Sequence, residues 1–202
     1  MIFVRHGETA LNVAQVVQPA DTPLSPRGLL QAERVAERLA SVAIATIVSS
    51  DLPRALETAR RISARTGVAV EIDPIWRERD FGDWRGQRWL DLGFDPRTTD
   101  RLPPAGESAA VFADRVAFAF ERLHRRERTA SGALVVVSHG LVIRSLIETH
   151  LARPAPLGAP LQLGNTSVTV ASAEPPYAIS VLDCVQHLSD ESRAGETSVS
   201  GL

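Results

Sequence analysis

The order of apolar runs along this chain predicts an α/β fold: a three-layer α/β/α sandwich with a mostly parallel sheet and a small inserted cap over its carboxyl edge. Three observations carry the prediction. Short, β-branched runs of strand length alternate with longer stretches of helical spacing. Residues capable of chemistry follow directly after the strand runs, where open α/β sheets place their ligand crevice. One segment, about residues 76–106, interrupts the alternation with three Trp, the pair Pro103-Pro104 and scattered Gly and Asp, as an inserted cap does.

Taken in order, Met1-Ile2-Phe3-Val4 is the first strand, and Arg5-His6-Gly7-Glu8-Thr9 follows where it ends. A Gly there allows backbone to approach a ligand closely. Ser25-Pro26 reads as an N-cap with proline at the first helical position, and Leu29, Leu30, Ala32, Val35, Ala36 and Leu39 recur at helical spacing. Ile44 to Val48 is a second strand. Ser49-Ser50-Asp51 then leads into a helix from about Pro53 to Thr66, stopped at Gly67. Val68 to Ile72 and Leu134 to Val137 are further strands, the latter running through Ser138-His139-Gly140 into a helix over Leu141 to Leu151. Between them, Ser108 to Arg128 is helical through Val111, Phe112, Val116, Phe120 and Leu123. Its Arg122, Arg125, Arg126 and Arg128 suit a solvated helix C-terminus. Ser167 to Ala171 alternates with period two and faces Ala178 to Leu182 across Glu174-Pro175-Pro176, an edge hairpin. Residues 1–185 are thus expected to form a single domain, with 186–202, rich in Ser, Glu and Gly, as a flexible tail.

Composition narrows the function classes. With 202 residues, 44% hydrophobic content and a formal net charge of -2, the chain supports one buried core and carries no overall basic footprint for nucleic acid. The first strand starts at Met1 and no apolar run reaches bilayer length, so the expected location is cytoplasmic, without a membrane partner. All 22 basic residues are Arg. Without Lys there is no P-loop lysine, no kinase-type strand lysine and no Schiff base. The single Cys184 reads as a small buried hydrophobe, and with Asp190 six positions later it does not form a cysteine-phosphatase loop. The His residues are too scattered for a spaced ligand motif, so neither a metal nor another cofactor is implied.

If the strands are parallel, Arg5 and His6, Arg54, Glu78 and His139 converge on one carboxyl edge. Each residue alone has an ordinary explanation. Arg54 could pair with Asp51, His139 could be a turn histidine, and Glu78 could bridge to Arg77 or Arg79, although Asp80 and Asp83 could serve those arginines equally well. Together, Arg5-His6-Gly7-Glu8-Thr9 with Asn12, Asp21-Thr22-Pro23-Leu24, Gly28, the stretch Ser49 to Ala55 with Thr58-Ala59, Arg77 to Trp84, and Ser138-His139-Gly140 resemble the histidine phosphatase superfamily, the phosphoglycerate-mutase-like enzymes. The likeness runs from Arg5 to about Val170. It implies His6 as a nucleophile that becomes phosphohistidine, Glu78 as proton donor, and Arg5, Arg54 and His139 as the catalytic groups that stabilise the phosphoryl charge. It also implies phosphate or substrate contacts from Arg5, Asn12, Thr22, Arg54, His139 and Gly140, with turn capping as the other reading of Asn12 and Thr22. Glu8 is expected to orient the loop.

The run Phe81-Gly82-Asp83-Trp84-Arg85-Gly86 resembles the phosphatase branch. The expected activity is therefore that of a histidine acid phosphatase-type phosphoric monoester hydrolase on a small phosphorylated metabolite, with phosphoglycerate mutase or a catalytically silent regulatory module as alternatives. Val17-Gln18 stand where many members carry Gln-Gly, so the loop beside the substrate is this chain's own. Trp76, Trp84, Arg85, Trp89 and Arg101 are candidates for leaving-group contacts, or, for the aromatics, for a small core of the cap. The sequence leaves the oligomeric state open.

Overall fold

The computed structural model describes residues 1–127, 131–153 and 161–188. Its centre is a six-stranded sheet in the order β3-β2-β4-β1-β5-β6, built from β1 (Ile2–Arg5), β2 (Ile44–Ser49), β3 (Val70–Ile72), β4 (Ala133–Ser138), β5 (Val168–Ala171) and β6 (Ile179–Cys184). The pairs β1/β4, β2/β4 and β2/β3 are parallel, whereas β5 is antiparallel to both β1 and β6. The helices are α1 (Ala10–Val13), α2 (Pro26–Leu39), α3 (Pro53–Thr66), α4 (Trp89–Leu92), α5 (Ala109–Glu127) and α6 (Gly140–Thr149).

Strand periodicity explains the three layers. Successive side chains point to opposite faces, so each apolar strand feeds two cores. Phe3, Val48, Leu134 and Val136 pack with Phe112, Val116 and Phe120 of α5 and with Ile143, Leu146 and Ile147 of α6. Ile2, Val4, Ile47, Val135 and Val137 face the other way, onto Val35 and Leu39 of α2 and Ala55, Ala59 and Ile62 of α3. The local signals act where they stand: Ser25 accepts from the Gly28 amide at the start of α2, and Gly67 closes α3 at φ 74°.

Several boundaries differ from expectation, most by a residue or two at an element's end. β3 begins at Val70 because its ladder to β2 starts at the Ile47/Val70 pair; Val68 instead packs against the α2/α3 core. The body extends past residue 185. Leu188 is only 3% exposed, while His187 meets Arg38 and Thr166, so the tail that starts at 186 in the sequence reading is anchored as far as Leu188. Residues 189–202, like Arg128, lie outside the described part. Trp76 belongs to the main core and not to the cap: its carbonyl accepts from Ser138 Oγ at 2.7 Å. In the cap itself Phe81 and Trp84 form a small core with Val17, Trp89 and Phe94. No described helix is long and apolar enough to cross a membrane.

The segment after β1 lies directly on α2. A Cβ on Gly7 would come within 2.5 Å of the Gly28 carbonyl oxygen, and one on Gly28 would overlap the Glu8 carbonyl. Gly28→Ala should therefore lower unfolding stability by about 1–3 kcal/mol through overpacking. Urea unfolding of the variant beside the parent chain checks this, and an unchanged midpoint is the contrary result.

Candidate active site

The chemistry-bearing residues sit where parallel strands end. The His6 amide donates to the Ser138 carbonyl at 3.0 Å, extending the β1/β4 ladder by one step, and the Ser50 amide does the same to Val137 at 3.1 Å. These bonds bring the ends of β1, β4 and β2 side by side. The rings of His6 and His139 lie 5.1 Å apart between centroids. Arg54 stands in the first turn of α3, and Glu78 follows the 3₁₀ turn Pro74–Trp76.

His6 Nδ1 is 2.7 Å from the Gly7 carbonyl oxygen. A carbonyl only accepts, so this partner assigns the proton to Nδ1 and leaves the Nε2 lone pair available. Burial holds the His6 pKa well below its ordinary 6.5, and the charges of Arg54 and Arg5 lower it further. The imidazole is thus a neutral nucleophile in a cationic site. His139 is fully buried, with Nε2 2.9 Å from Ser50 Oγ. Ser50 Oγ also accepts from the Leu52 amide and has one hydroxyl proton that it can give to His139 Nε2, the arrangement in which the imidazole proton sits on Nδ1. Among the described residues, His139 Nδ1 and Arg54 Nε are buried without a hydrogen-bond partner, and Arg54, which lines the cavity, suits a donor to an oxyanion.

The guanidinium groups are themselves anchored. Arg5 Nη1 donates to the Leu163 carbonyl, and Arg54 Nη1 donates to that of Pro19 at 3.4 Å. Burial lowers the pKa of Arg54 to about 10, against a raising effect from Glu78, so it stays cationic at neutral pH. Glu78 accepts from the Arg79 amide at 3.0 Å and from the Leu141 amide at 3.1 Å, at the N-terminal turn of α6. Burial raises its pKa above 4.5 despite these bonds and the nearby Arg54 and Arg5. A carboxyl shifted in that direction can hold a proton for a leaving group.

The structure brings most of the expected residues together. Arg5, His6, Asn12, Arg54, Glu78 and Gly140 line one cavity, and His139 is fully buried beside His6, off the wall. Thr22 is also set apart. It is not on the cavity wall; its hydroxyl donates to the Pro19 carbonyl at 2.9 Å, the turn-capping alternative. Asn12 lines the cavity and also caps α1 with Thr9, and its Oδ1 accepts from Asn165 Nδ2 at 3.3 Å. Glu8 is held by Ser25 and Arg27, which ties the loop to the start of α2. Asp51 pairs with Arg77, not Arg54, and Arg79 donates to the carbonyls of Thr99, Arg101 and Glu107, so the two arginines beside Glu78 are engaged elsewhere. Among the candidate cap contacts, Arg85 and Trp89 line the cavity, whereas Arg101 stacks on Phe94. Among the described residues no group of three His, Cys, Asp or Glu is placed to hold a metal ion.

Two elements escaped the sequence reading. Asn165 donates to the His6 carbonyl at 3.1 Å, from a loop with no motif around it. Arg115 of α5 donates to the carbonyls of Ile75 at 2.7 Å and Arg77 at 2.8 Å, while clasping Glu107 through Nε at 2.9 Å and Nη2 at 2.8 Å. The Glu107 amide in turn donates to the Asp80 carbonyl at 2.8 Å, and the Glu107 carboxylate accepts from the Asp80 amide at 3.3 Å. Helical spacing marks Arg115 only as a polar position, although it fixes both flanks of Glu78.

A profile of the histidine phosphatase superfamily (branch 1) matches residues 1–179. The chain belongs to this superfamily. Similar members include phosphoglycerate mutase-like protein 4 of Arabidopsis thaliana, 40% identical over 186 residues that cover 84% of this chain and 77% of the relative. A probable phosphoglycerate mutase of Proteus mirabilis is 35% identical over 178 residues, covering 83% and 81%. Among solved structures, mycobacterial glucosyl-3-phosphoglycerate phosphatase is 34% identical with a TM-score of 0.70, over 84% of this chain and 87% of that one. A mutant phosphoserine phosphatase from Entamoeba histolytica, in complex with phosphoserine, is 27% identical with a TM-score of 0.75, over 93% and 98%. In this histidine phosphatase superfamily member, the Val17-Gln18 departure has a structural setting. Val17 is buried against Phe81 and Trp84, its amide donates to Gln87, and its carbonyl accepts from Gly86.

The clasp gives a prediction. Arg115→Ala should lower kcat for phosphate ester hydrolysis by about 10²-fold with a much smaller change in KM, because Glu78 loses its alignment while the phosphate grip remains. Arg115→Lys, which cannot span the same acceptors, should restore little. Steady-state kinetics on variants with unchanged circular dichroism separate this from a folding defect.

Proposed function

We propose that the protein is a metal-independent phosphomonoesterase that hydrolyses a small phosphorylated metabolite through a phosphohistidine on His6. The hydrogen bond from His6 Nδ1 to the Gly7 carbonyl carries the reading, because it leaves Nε2 unprotonated beside Arg5 and Arg54. Nε2 attacks phosphorus as the ester P–O bond breaks, and Glu78 transfers its proton to the departing oxygen. The Glu78 carboxylate then takes a proton from water, whose oxygen attacks phosphorus; the P–N bond breaks and inorganic phosphate leaves. Arg5 and Arg54 grip the phosphoryl oxygens as charge develops, and the buried His139 stands beside His6. Uncatalysed monoester hydrolysis is slow enough that accelerations up to ~10²¹ are needed, which is why so many charged groups serve one step. The reading takes the enzyme as cytoplasmic, in keeping with its composition.

A second reading, phosphoglycerate mutase, is favoured by the names of the curated relatives. Hydrolysis is preferred on the short cap, since a mutase must shield its phosphoenzyme from water until rephosphorylation, and on the phosphatases among the solved relatives. With 3-phosphoglycerate as substrate, a mutase yields 2-phosphoglycerate and a phosphatase yields inorganic phosphate. His6→Ala should abolish both the acid-labile phosphoenzyme and release of nitrophenol from 4-nitrophenyl phosphate; undiminished turnover would sink the proposal.

The pH dependence follows from two opposite shifts. His6 must be neutral to attack, and its pKa lies well below 6.5, so the acid limb of kcat/KM falls well below that pH. Glu78 must be protonated to donate, and its pKa is raised above 4.5, so activity declines as pH rises through that raised value. The expected profile is a bell. Glu78→Gln should remove its alkaline limb and lower kcat by ~10²–10⁴-fold for alkyl esters, less for nitrophenyl esters that leave without a proton.

A further inference from the structure

The cavity is much larger than the phosphate site at its end, about 1540 Å³. Its walls beyond Arg5 and Arg54 carry six more arginines, and the protein already engages all six. Arg77 is paired with Asp51, Arg85 with Asp80, Arg97 with Asp95, Arg115 with Glu107 and Arg144 with Glu148. The sixth, Arg79, donates to the carbonyls of Thr99, Arg101 and Glu107. A second anion on the substrate would have to compete with these partners, most of them carboxylates that would also repel it.

The rest of the wall combines uncharged and acidic polar side chains with an apolar share. Val17, Phe81, Trp89, Leu141 and Leu161 belong to that share, and three large apolar side chains of the lining stand exposed at the rim: Val13 at 55%, Leu102 at 63% and Val111 at 58%. Exposed apolar groups gathered around a concave site mark what it receives. Resting on the phosphomonoesterase reading, we infer that the site selects monoesters whose leaving group is extended and apolar and bears no second anionic group. The phosphate is recognised by charge and the rest of the molecule by burial.

A matched pair tests this without changing leaving-group chemistry: n-hexyl phosphate against 6-phosphonooxyhexanoate, the same chain ending in a carboxylate. The expected kcat/KM is higher for hexyl phosphate by roughly tenfold or more, the penalty of burying an unpaired charge. Val111→Arg and Leu102→Arg, which each add a cation at the rim, should shrink that ratio, while Leu30→Glu on the exposed face of α2, away from the cavity, should leave it unchanged. If both esters release phosphate and the carboxylate-ended one is turned over equally well or better, this inference falls and the phosphatase reading stands. If neither these esters nor 4-nitrophenyl phosphate release phosphate, both fall.

Discussion

The site depends on one register: β1 pairs in parallel with β4, placing Arg5 opposite Ser138. Because the ladder continues one bond further, from the His6 amide to the Ser138 carbonyl, the two residues that follow the strands, His6 and His139, become neighbours. The β2/β4 register does the same for Ser50, which reaches His139, and for the start of α3, which delivers Arg54. A slip of one residue would turn Arg5 and His6 to the opposite faces of the sheet and exchange the apolar set fitted to α5 and α6 with the one fitted to α2 and α3. Catalytic geometry and core packing are therefore fixed by the same bonds.

Burial at this edge acts on three kinds of group with three results. It makes His6 neutral, keeps Glu78 inclined to hold a proton, and lowers Arg54 without discharging it. Only a guanidinium tolerates that combination. An ammonium in the same place starts from a lower pKa and would lose charge more readily, so a chain without Lys has lost nothing at this position. One common cause shifts the acid upward and the nucleophile downward in pKa.

Much of this was legible in the sequence, for reasons that differ by residue. The strand and helix order could be read because Phe3, Val48, Val136 and their neighbours form continuous apolar runs, and the helices carry caps at Ser25 and Gly67. Arg5, His6, Arg54, Glu78 and His139 could be placed because strand ends of a parallel sheet share one edge. Thr22 misled because a hydroxyl in a turn is satisfied locally, and sequence does not say whether it points inward or back to Pro19. Leu188 was missed because one apolar residue in a polar stretch has no period. Arg115 was missed because its partners are main-chain carbonyls nearly forty positions away, which leave no trace in residue type.

The main-chain bonds from Val17 to Gly86 and Gln87, with Trp89 to Gln15 beside them, join the loop that follows the nucleophile to the inserted cap as a short two-stranded seam. Seams of this kind couple histories. A lengthened cap or a rebuilt loop cannot be accepted alone, since either would strand the other's amides, so the two segments are expected to diverge together between relatives while the sheet beneath them stays constant. Swapping one without the other between members of the superfamily transplants half a joint.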